Sequence, residues 1–136
     1  MAKITSTITI TANKSTAVTN PGPLSVALNL TKSDLLDVDG NTYSGTADVT
    51  TTHTDSFIYD GSVVGEAYIY LNNISDATVY VTNADAGTDA NRFMTLKAGE
   101  FAFFPWSPSS GTNTDLYLDH SSGGTKKVEY WVFDQA

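Results

Sequence analysis

The chain has 136 residues, 40% of them hydrophobic and 16% charged, and its formal net charge at pH 7 is −8. This length allows one hydrophobic core but not two. The 15 acidic residues outnumber the seven basic ones, which argues against a nucleic-acid partner because phosphate binding depends on clustered Lys and Arg.

Two further features bound the cellular setting. The sequence has no cysteine, so it has neither a disulfide framework nor thiolate chemistry. Its first residues, MAKITSTITITANK, contain one early lysine but no apolar core of a secretory signal, and no segment approaches the length of a membrane span. We therefore expect synthesis in a reducing cytosol and no membrane partner.

Alternating apolar and polar residues predict strands in the N-terminal half. In residues 3–11 isoleucine alternates with threonine. In residues 23–31 leucine and valine alternate with smaller or polar residues. Residues 41–52 form a weaker strand, in which Gly45 indicates a bulge or a close crossing. The best helical candidate is residues 33–38, SDLLDV, which would form one or two turns.

The strand pattern is clearest in the C-terminal half. Residues 56–62 form a short strand that ends in an Asp-Gly turn signal. Residues 66–82 contain two strands joined by the loop NNISD, which predicts a hairpin with Tyr68 opposite Tyr80. Residues 92–96 and 100–106 are predicted to form the next strand pair, around a Lys-Ala-Gly turn. Two single strands follow at residues 115–120 and 126–134.

About nine or ten short strands with turn signals between them are typical of sandwiches and barrels. We expect an all-β chain that folds as a single antiparallel β-sandwich, jelly-roll-like, over residues 1–136. Residues 1–22 would supply an N-terminal strand and an extended arm.

The sequence contains no recognisable catalytic constellation. His53 and His120 lie in polar settings without further ligands at metal-site spacing, so we interpret both as exposed strand-end or turn histidines. A calcium loop of the EF-hand type is matched in part by Asp37, Asp39 and Gly40, but the first and last positions of that loop lack a ligand residue here. This favours an acidic turn. A looser site of oxygen ligands is the alternative. A carboxylate pair among the three glutamates also stays open. We expect no enzyme activity, cofactor or metal.

Aromatic residues are the informative part of the sequence. In the strand at residues 100–106, one face has Phe101, Phe103 and Pro105, and the other has Ala102, Phe104 and Trp106, so both faces are apolar. The two sheets and the arm could cover these rings, or the rings could form a platform for sugar stacking. We predict a protein interface, since Tyr and Trp are enriched at such surfaces. Its candidate residues are Tyr68, Tyr70, Tyr80, Phe104, Trp106 and Trp131.

The segment at residues 66–106 resembles a recurrent module of small virion proteins of tailed bacteriophages. The module has a strand ending in N-x-S, a strand of YV type, the pattern hydrophobic-L-x-x-G-E and a second apolar strand that ends near a proline. This chain matches it with AYIYLNNISDATVYVTN and RFMTLKAGEFAFFPW, and KKVEYWVFD is similar to the closing strand. The similarity covers about the last half of the chain.

The resemblance implies a capsid decoration, or cement, protein that binds the outer surface of the head and stabilises the shell by bridging capsomers. Its partners would be the major capsid protein and further copies of itself, with a trimer favoured, and its location the virion after synthesis in the host bacterial cytoplasm. The alternative is a tail fibre, baseplate or receptor-binding component, including a carbohydrate-binding β-sandwich. The patch that docks would lie on the aromatic strands or on the Thr-rich N-terminal strand, whose edge could extend a neighbour's sheet.

Overall fold

The computed structural model describes residues 2–4, 7–12, 26–31, 36–52, 56–60, 66–83, 89–107 and 115–135. The chain divides into two compact units. The N-terminal unit is Met1–Val38 and the C-terminal unit is Asp39–Ala136.

The described residues form eleven strands and one short 3₁₀ helix at Asp89–Asn91. Among them, no helix is long and apolar enough to cross a membrane. The strands are β1 (Ala2–Ile4), β2 (Thr7–Ala12), β3 (Val26–Thr31), β4 (Leu36–Val49), β5 (Ser56–Tyr59), β6 (Ala67–Asn73), β7 (Val79–Thr82), β8 (Arg92–Leu96), β9 (Phe101–Trp106), β10 (Leu116–Asp119) and β11 (Lys126–Gln135).

The N-terminal unit contains two separate sets of strand pairs. β1 pairs antiparallel with the first three residues of β4, from Ala2 opposite Val38 to Ile4 opposite Leu36. β2 and β3 pair antiparallel over their full six-residue length, from Thr7 opposite Thr31 to Ala12 opposite Val26. Their sheet contains two strands in the described part of the chain. The predicted extended arm includes residues 13–22, which lie outside the described residues.

The C-terminal unit contains two antiparallel four-stranded sheets. The first has the strand order β4-β11-β6-β9, and the second has the order β5-β10-β7-β8. The all-β prediction is confirmed. These two sheets contain eight of the described strands, fewer than the nine or ten expected in a single sandwich.

One buried apolar cluster includes side chains from both sheets. Alternate residues of β6 point into it, and their burial follows the period of two that strand geometry imposes. Partly buried side chains, among them Phe104, Trp106 and Tyr130, pack against the cluster. Its buried members are Val49, Ile58, Tyr59, Ala67, Ile69, Leu71, Val79, Val81, Leu96, Leu116, Leu118, Val128 and Val132.

Two predicted strand pairs are wrong. β6 and β7 lie in different sheets, so residues 66–82 are not a hairpin and Tyr68 does not face Tyr80. β8 and β9 likewise lie in different sheets. In their place β6 pairs with β9, and β7 pairs with β8. The connections at residues 74–78 and 97–100 are therefore two arches, each of which takes the chain from one sheet to the other.

Asn73 is the reason that the first connection is an arch. Its side chain is fully buried, and its Nδ2 donates to the carbonyl oxygens of Ala77 at 2.7 Å and Leu96 at 2.9 Å. Its Oδ1 accepts from the Ser75 hydroxyl at 2.6 Å and from the Ser75 amide at 3.1 Å. The side-chain amide of Asn73 thus makes four hydrogen bonds, and these hold the connection in a path from one sheet to the other. A solvent-exposed hairpin loop does not require such bonds.

The second arch binds directly to the first. The Gly99 amide donates to the Asn73 carbonyl oxygen at 2.9 Å, and the Asn73 amide donates to the Glu100 carbonyl oxygen at 2.9 Å. Gly99 has φ of +77°, a region that glycine adopts without steric cost. The Glu100 carboxylate accepts from the Lys97 amide at 2.8 Å and closes the turn. The two arches therefore form one hydrogen-bonded unit.

Two predictions near the start of β4 are also wrong. Residues 36–38 were expected in a short helix, and Asp37, Asp39 and Gly40 in an acidic turn, but all of them lie in the extended strand β4. Strand pairing with β1 supplies the backbone hydrogen bonds that a local helix or turn would otherwise supply.

Gly45, where the sequence predicts a bulge or a close crossing, is closely approached by the Tyr130 side chain. A Cβ atom at this position would lie 3.2 Å from the Tyr130 hydroxyl and 3.3 Å from its Cε1.

Candidate functional site: an aromatic sheet face

Three adjacent strands of the first sheet present their outward side chains as a regular grid. Neighbouring strands are about 4.8 Å apart, and alternate residues of each strand share a face. The register sets Tyr70 between Trp131 and Phe103 in the central row. We define the outer face by its three rows, which are Glu129, Asn72 and Phe101, then Trp131, Tyr70 and Phe103, then Phe133, Tyr68 and Pro105.

The rings of the outer face contact one another in pairs. Trp131 and Phe133 stack along β11 with centroids 5.9 Å apart. Tyr68 and Phe103 stack between β6 and β9 at 6.1 Å, and Tyr70 meets Phe101 at 6.4 Å with a tilt of 34°. These separations lie in the range of favourable aromatic pairs. The rings therefore support one another and form a largely apolar surface.

This surface is most open at Phe101, in one corner of the grid, and at Trp131, in the middle of the opposite edge. Phe101 is 69% exposed and Trp131 is 45% exposed, whereas Tyr70 and Phe103 are partly buried. Large hydrophobic side chains with this exposure, grouped on one face, mark a binding surface more often than isolated exposed residues do.

Polar groups lie in the first row of the same face. The Asn72 side-chain amide donates to the Glu129 carboxylate at 2.9 Å, between β6 and β11. On the next outward position of β11, Lys127 pairs with Asp48 at 2.6 Å, which neutralises this lysine locally. The outer face therefore combines rings with an amide and a carboxylate.

The six candidate interface residues do not form one surface. Tyr68, Tyr70 and Trp131 lie together on the outer face. Phe104 and Trp106 lie on the opposite side of β9, where they pack against the buried cluster. Trp106 also stacks on Phe93 at 5.4 Å, which joins the edge strands of the two sheets. Alternation along β9 separates these two rings from the outer face.

Tyr80 lies on β7 in the second sheet and not beside Tyr68, since β6 and β7 do not form the predicted hairpin. The Arg92 guanidinium lies 4.0 Å above its ring, a cation–π contact. Arg92 also donates to the buried Asp119 carboxylate at 3.0 Å and pairs with Asp89 at 2.8 Å. This arrangement positions Tyr80 within a charged cluster and away from the outer face.

Phe101, Phe103 and Phe133 are members of the outer face that the candidate set omitted. The alternation of residues 100–106 already places Phe101 and Phe103 on one side of their strand. The sequence does not show that β9 pairs with β6. This pairing brings Phe101 and Phe103 beside Tyr68 and Tyr70.

His120 is buried, so its interpretation as an exposed histidine is wrong. The Ser122 amide donates to its Nδ1 at 3.1 Å, which leaves Nε2 as the protonated nitrogen that donates to the Val49 carbonyl oxygen at 3.1 Å. Both ring nitrogens therefore bind backbone groups, and the ring joins the ends of β10 and β4. His53 lies outside the described residues.

No group of three or more His, Asp or Glu side chains within the described ranges could hold a metal ion. No protein-family model matches this chain, and neither a curated protein nor a solved structure matches it.

Proposed function

We propose that this chain is a bacteriophage virion structural protein, a capsid decoration (cement) protein that binds the outer surface of the head and bridges capsomers. The observation that supports this proposal is the joined pair of arches. Asn73 of the N-x-S pattern is hydrogen-bonded to Leu96, Gly99 and Glu100 of the L-x-x-G-E pattern, whereas Ser75 is bonded to Asn73 within its own pattern. The pattern behind the resemblance is thus one structural unit.

The proposal includes the finer architecture. The two sheets of the C-terminal unit form a jelly-roll-like β-sandwich, supported by their shared buried cluster and by two arches that connect them. A sandwich joined by hydrogen-bonded arches is rigid, and rigidity suits a protein that must hold its partners at fixed positions.

In this proposal the N-terminal unit binds the shell. Within the described residues the β2–β3 sheet has two strands. A strand from the major capsid protein or from a neighbouring copy could extend this sheet through backbone hydrogen bonds. This is the strand-addition option that the Thr-rich sequence of β2 indicates.

The stabilising mechanism follows from linkage. A protein that binds only the assembled shell stabilises that state by its binding free energy. Contacts made by several copies, for example as a trimer, add to one another through their high effective concentration. Neither step requires a catalytic residue.

The test compares heads of the encoding phage with and without this protein. We expect heads that lack it to open at a lower temperature, and the purified chain to restore their stability. Thr9→Pro removes an amide from the centre of β2 and should abolish this restoration, whereas Phe101→Ala on the outer face should retain it. Electron microscopy should place the protein on the head. Labelling of the tail would instead favour the fibre or baseplate alternative.

A further inference from the structure

We propose that the outer face binds a neutral saccharide chain. This inference goes beyond the structural role and holds whether the protein lies on the head or on the tail. It assigns the face to a ligand that stacks on rings and hydrogen-bonds at the edge of the ring array.

The rings supply the stacking surface. An aromatic ring has a negative face, which attracts the slightly positive C–H groups on the apolar side of a pyranose. Trp131 and Phe101 are 45% and 69% exposed, and Tyr70 lies between them in the grid. Ring centroids on β6 and β9 are 6.1 and 6.4 Å apart, a separation comparable to the width of a sugar ring.

The polar row supplies the hydrogen bonds. Asn72 and Glu129 lie in one row with Phe101 and next to the row of Trp131 and Tyr70. Their hydrogen bond at 2.9 Å holds an amide and a carboxylate side by side, and together they can both donate to and accept from hydroxyl groups. A saccharide requires such hydrogen bonds to its hydroxyl groups, whereas a purely apolar ligand does not.

Charge selects the class of saccharide. The chain has a net charge of −8, and the carboxylate within the outer face is that of Glu129. The nearby Lys127 is paired with Asp48. Sulfated or sialylated chains would meet repulsion here, whereas neutral chains would not.

The size of the grid argues against a second copy of this chain as the occupant. Three strands and three positions on each strand span roughly 10 Å by 14 Å. A stable protein interface buries about 800 Å² on each partner, which is several times this area. A saccharide of two or three units fits the grid, and a longer chain would extend beyond it.

The experiment titrates the full chain with cellotetraose, chitotetraose and maltotetraose, and with sialyllactose as the anionic probe. We expect millimolar or tighter binding of at least one neutral probe by calorimetry, with a change in tryptophan fluorescence. That change should persist in Trp106→Phe, because Trp106 lies on the inner side of β9 against Phe93.

Alanine variants locate the site. Trp131→Ala and Phe101→Ala should each weaken binding at least tenfold and lower the thermal midpoint only slightly, because each residue is largely exposed and has one ring contact on the face. The matched control is Tyr43→Ala. Tyr43 is 46% exposed on β4, at a position whose alternation shares the side of Ala47 and Val49 rather than the outward side. This variant should bind as the unchanged chain does.

Three outcomes would overturn the proposal. The first is no binding of any neutral probe at millimolar concentration. The second is binding that Trp131→Ala and Phe101→Ala leave unchanged. The third is concentration-dependent dimerisation, seen by light scattering, that the same two variants abolish, because this result would assign the face to a second copy. If the unchanged chain bound capsids but none of the neutral saccharides, this inference alone would be contradicted and the proposed function would still stand.

Discussion

Tyr59 is a buried residue whose ionisation the fold opposes. Its side chain lies in the apolar cluster at the end of β5, opposite Leu116. Burial is the main cause that raises its pKa to about 12, and the carboxylates of Asp134 and Asp115 add to the effect. A phenolate at this position would have to form in a buried site and beside like charges.

This shift predicts a loss of stability in alkaline solution. The folded state favours the neutral phenol, so the stabilisation is complete below pH 10 and is lost as the pH rises from about 10 towards about 12. We expect the free energy of unfolding to fall over this interval in the unchanged chain and to fall less in Tyr59→Phe. Denaturant unfolding at several pH values measures both, and equal slopes in the two proteins would contradict the prediction.

Single residues also mark the limit of sequence-based inference. Gly45 could be assigned a close crossing because a glycine inside a strand pattern usually marks a bulge or a close approach of another chain segment. His120 could not be assigned correctly, because the two backbone groups that bind its ring come from β4 and from the turn after β10. Ser122 is a near neighbour in the sequence, but Val49 is 71 residues away, and no local pattern indicates this second partner.

At the scale of elements, the arches explain why strands were predicted well and their pairing was not. A polar loop of five residues between two apolar strands is compatible with a hairpin or with an arch. The choice depends on whether Asn73 points into the core, where it binds Ala77 and Leu96. Leu96 lies 23 residues away in the sequence, so no local pattern contains this information.

Asn73→Ala should be strongly destabilising for the same reason. The substitution leaves the Leu96 carbonyl oxygen without its buried donor and removes one of the two bonds to the Ala77 carbonyl oxygen, which keeps the Ser75 hydroxyl at 3.3 Å. Because an unsatisfied buried group costs about 1–3 kcal/mol, we expect a loss of about 2 kcal/mol or more in the free energy of unfolding, measured by urea denaturation.

Asn72→Ala is the matched control for this substitution. Asn72 is the preceding residue of β6, but it faces outward and has an exposed hydrogen bond to Glu129. Its loss should cost less than about 1 kcal/mol. Similar effects of the two substitutions would show that the arches do not depend on Asn73.

At the scale of the whole molecule, the division into two units has a direct consequence. Among the side chains that the structure describes, the buried members of the apolar cluster run from Val49 to Val132, so the C-terminal unit has a core of its own. A core of this kind should fold without the preceding residues. We therefore expect residues 39–136, expressed alone, to unfold in one cooperative transition with a midpoint within a few degrees of that of the full chain.

A shorter fragment tests the role of β4. Residues 50–136 lack the C-terminal part of this strand, including the buried Val49 and the close contact of Gly45 with Tyr130. This fragment should lose cooperative unfolding by circular dichroism. If residues 39–136 behaved in the same way, the C-terminal unit would not be an independent folding unit.

The sequence by itself determined the all-β class, the approximate positions of most strands in the C-terminal unit and the two-sided apolar character of β9. These properties follow from local chemistry, because side-chain alternation and turn residues act over a few positions. Tertiary structure alone decided that β6 pairs with β9 and β11, and so which rings share a surface. Strand pairing depends on contacts between distant residues, and many pairings satisfy the same alternating pattern. The candidate site was therefore recognisable by its residue types, but its composition required the sheet register.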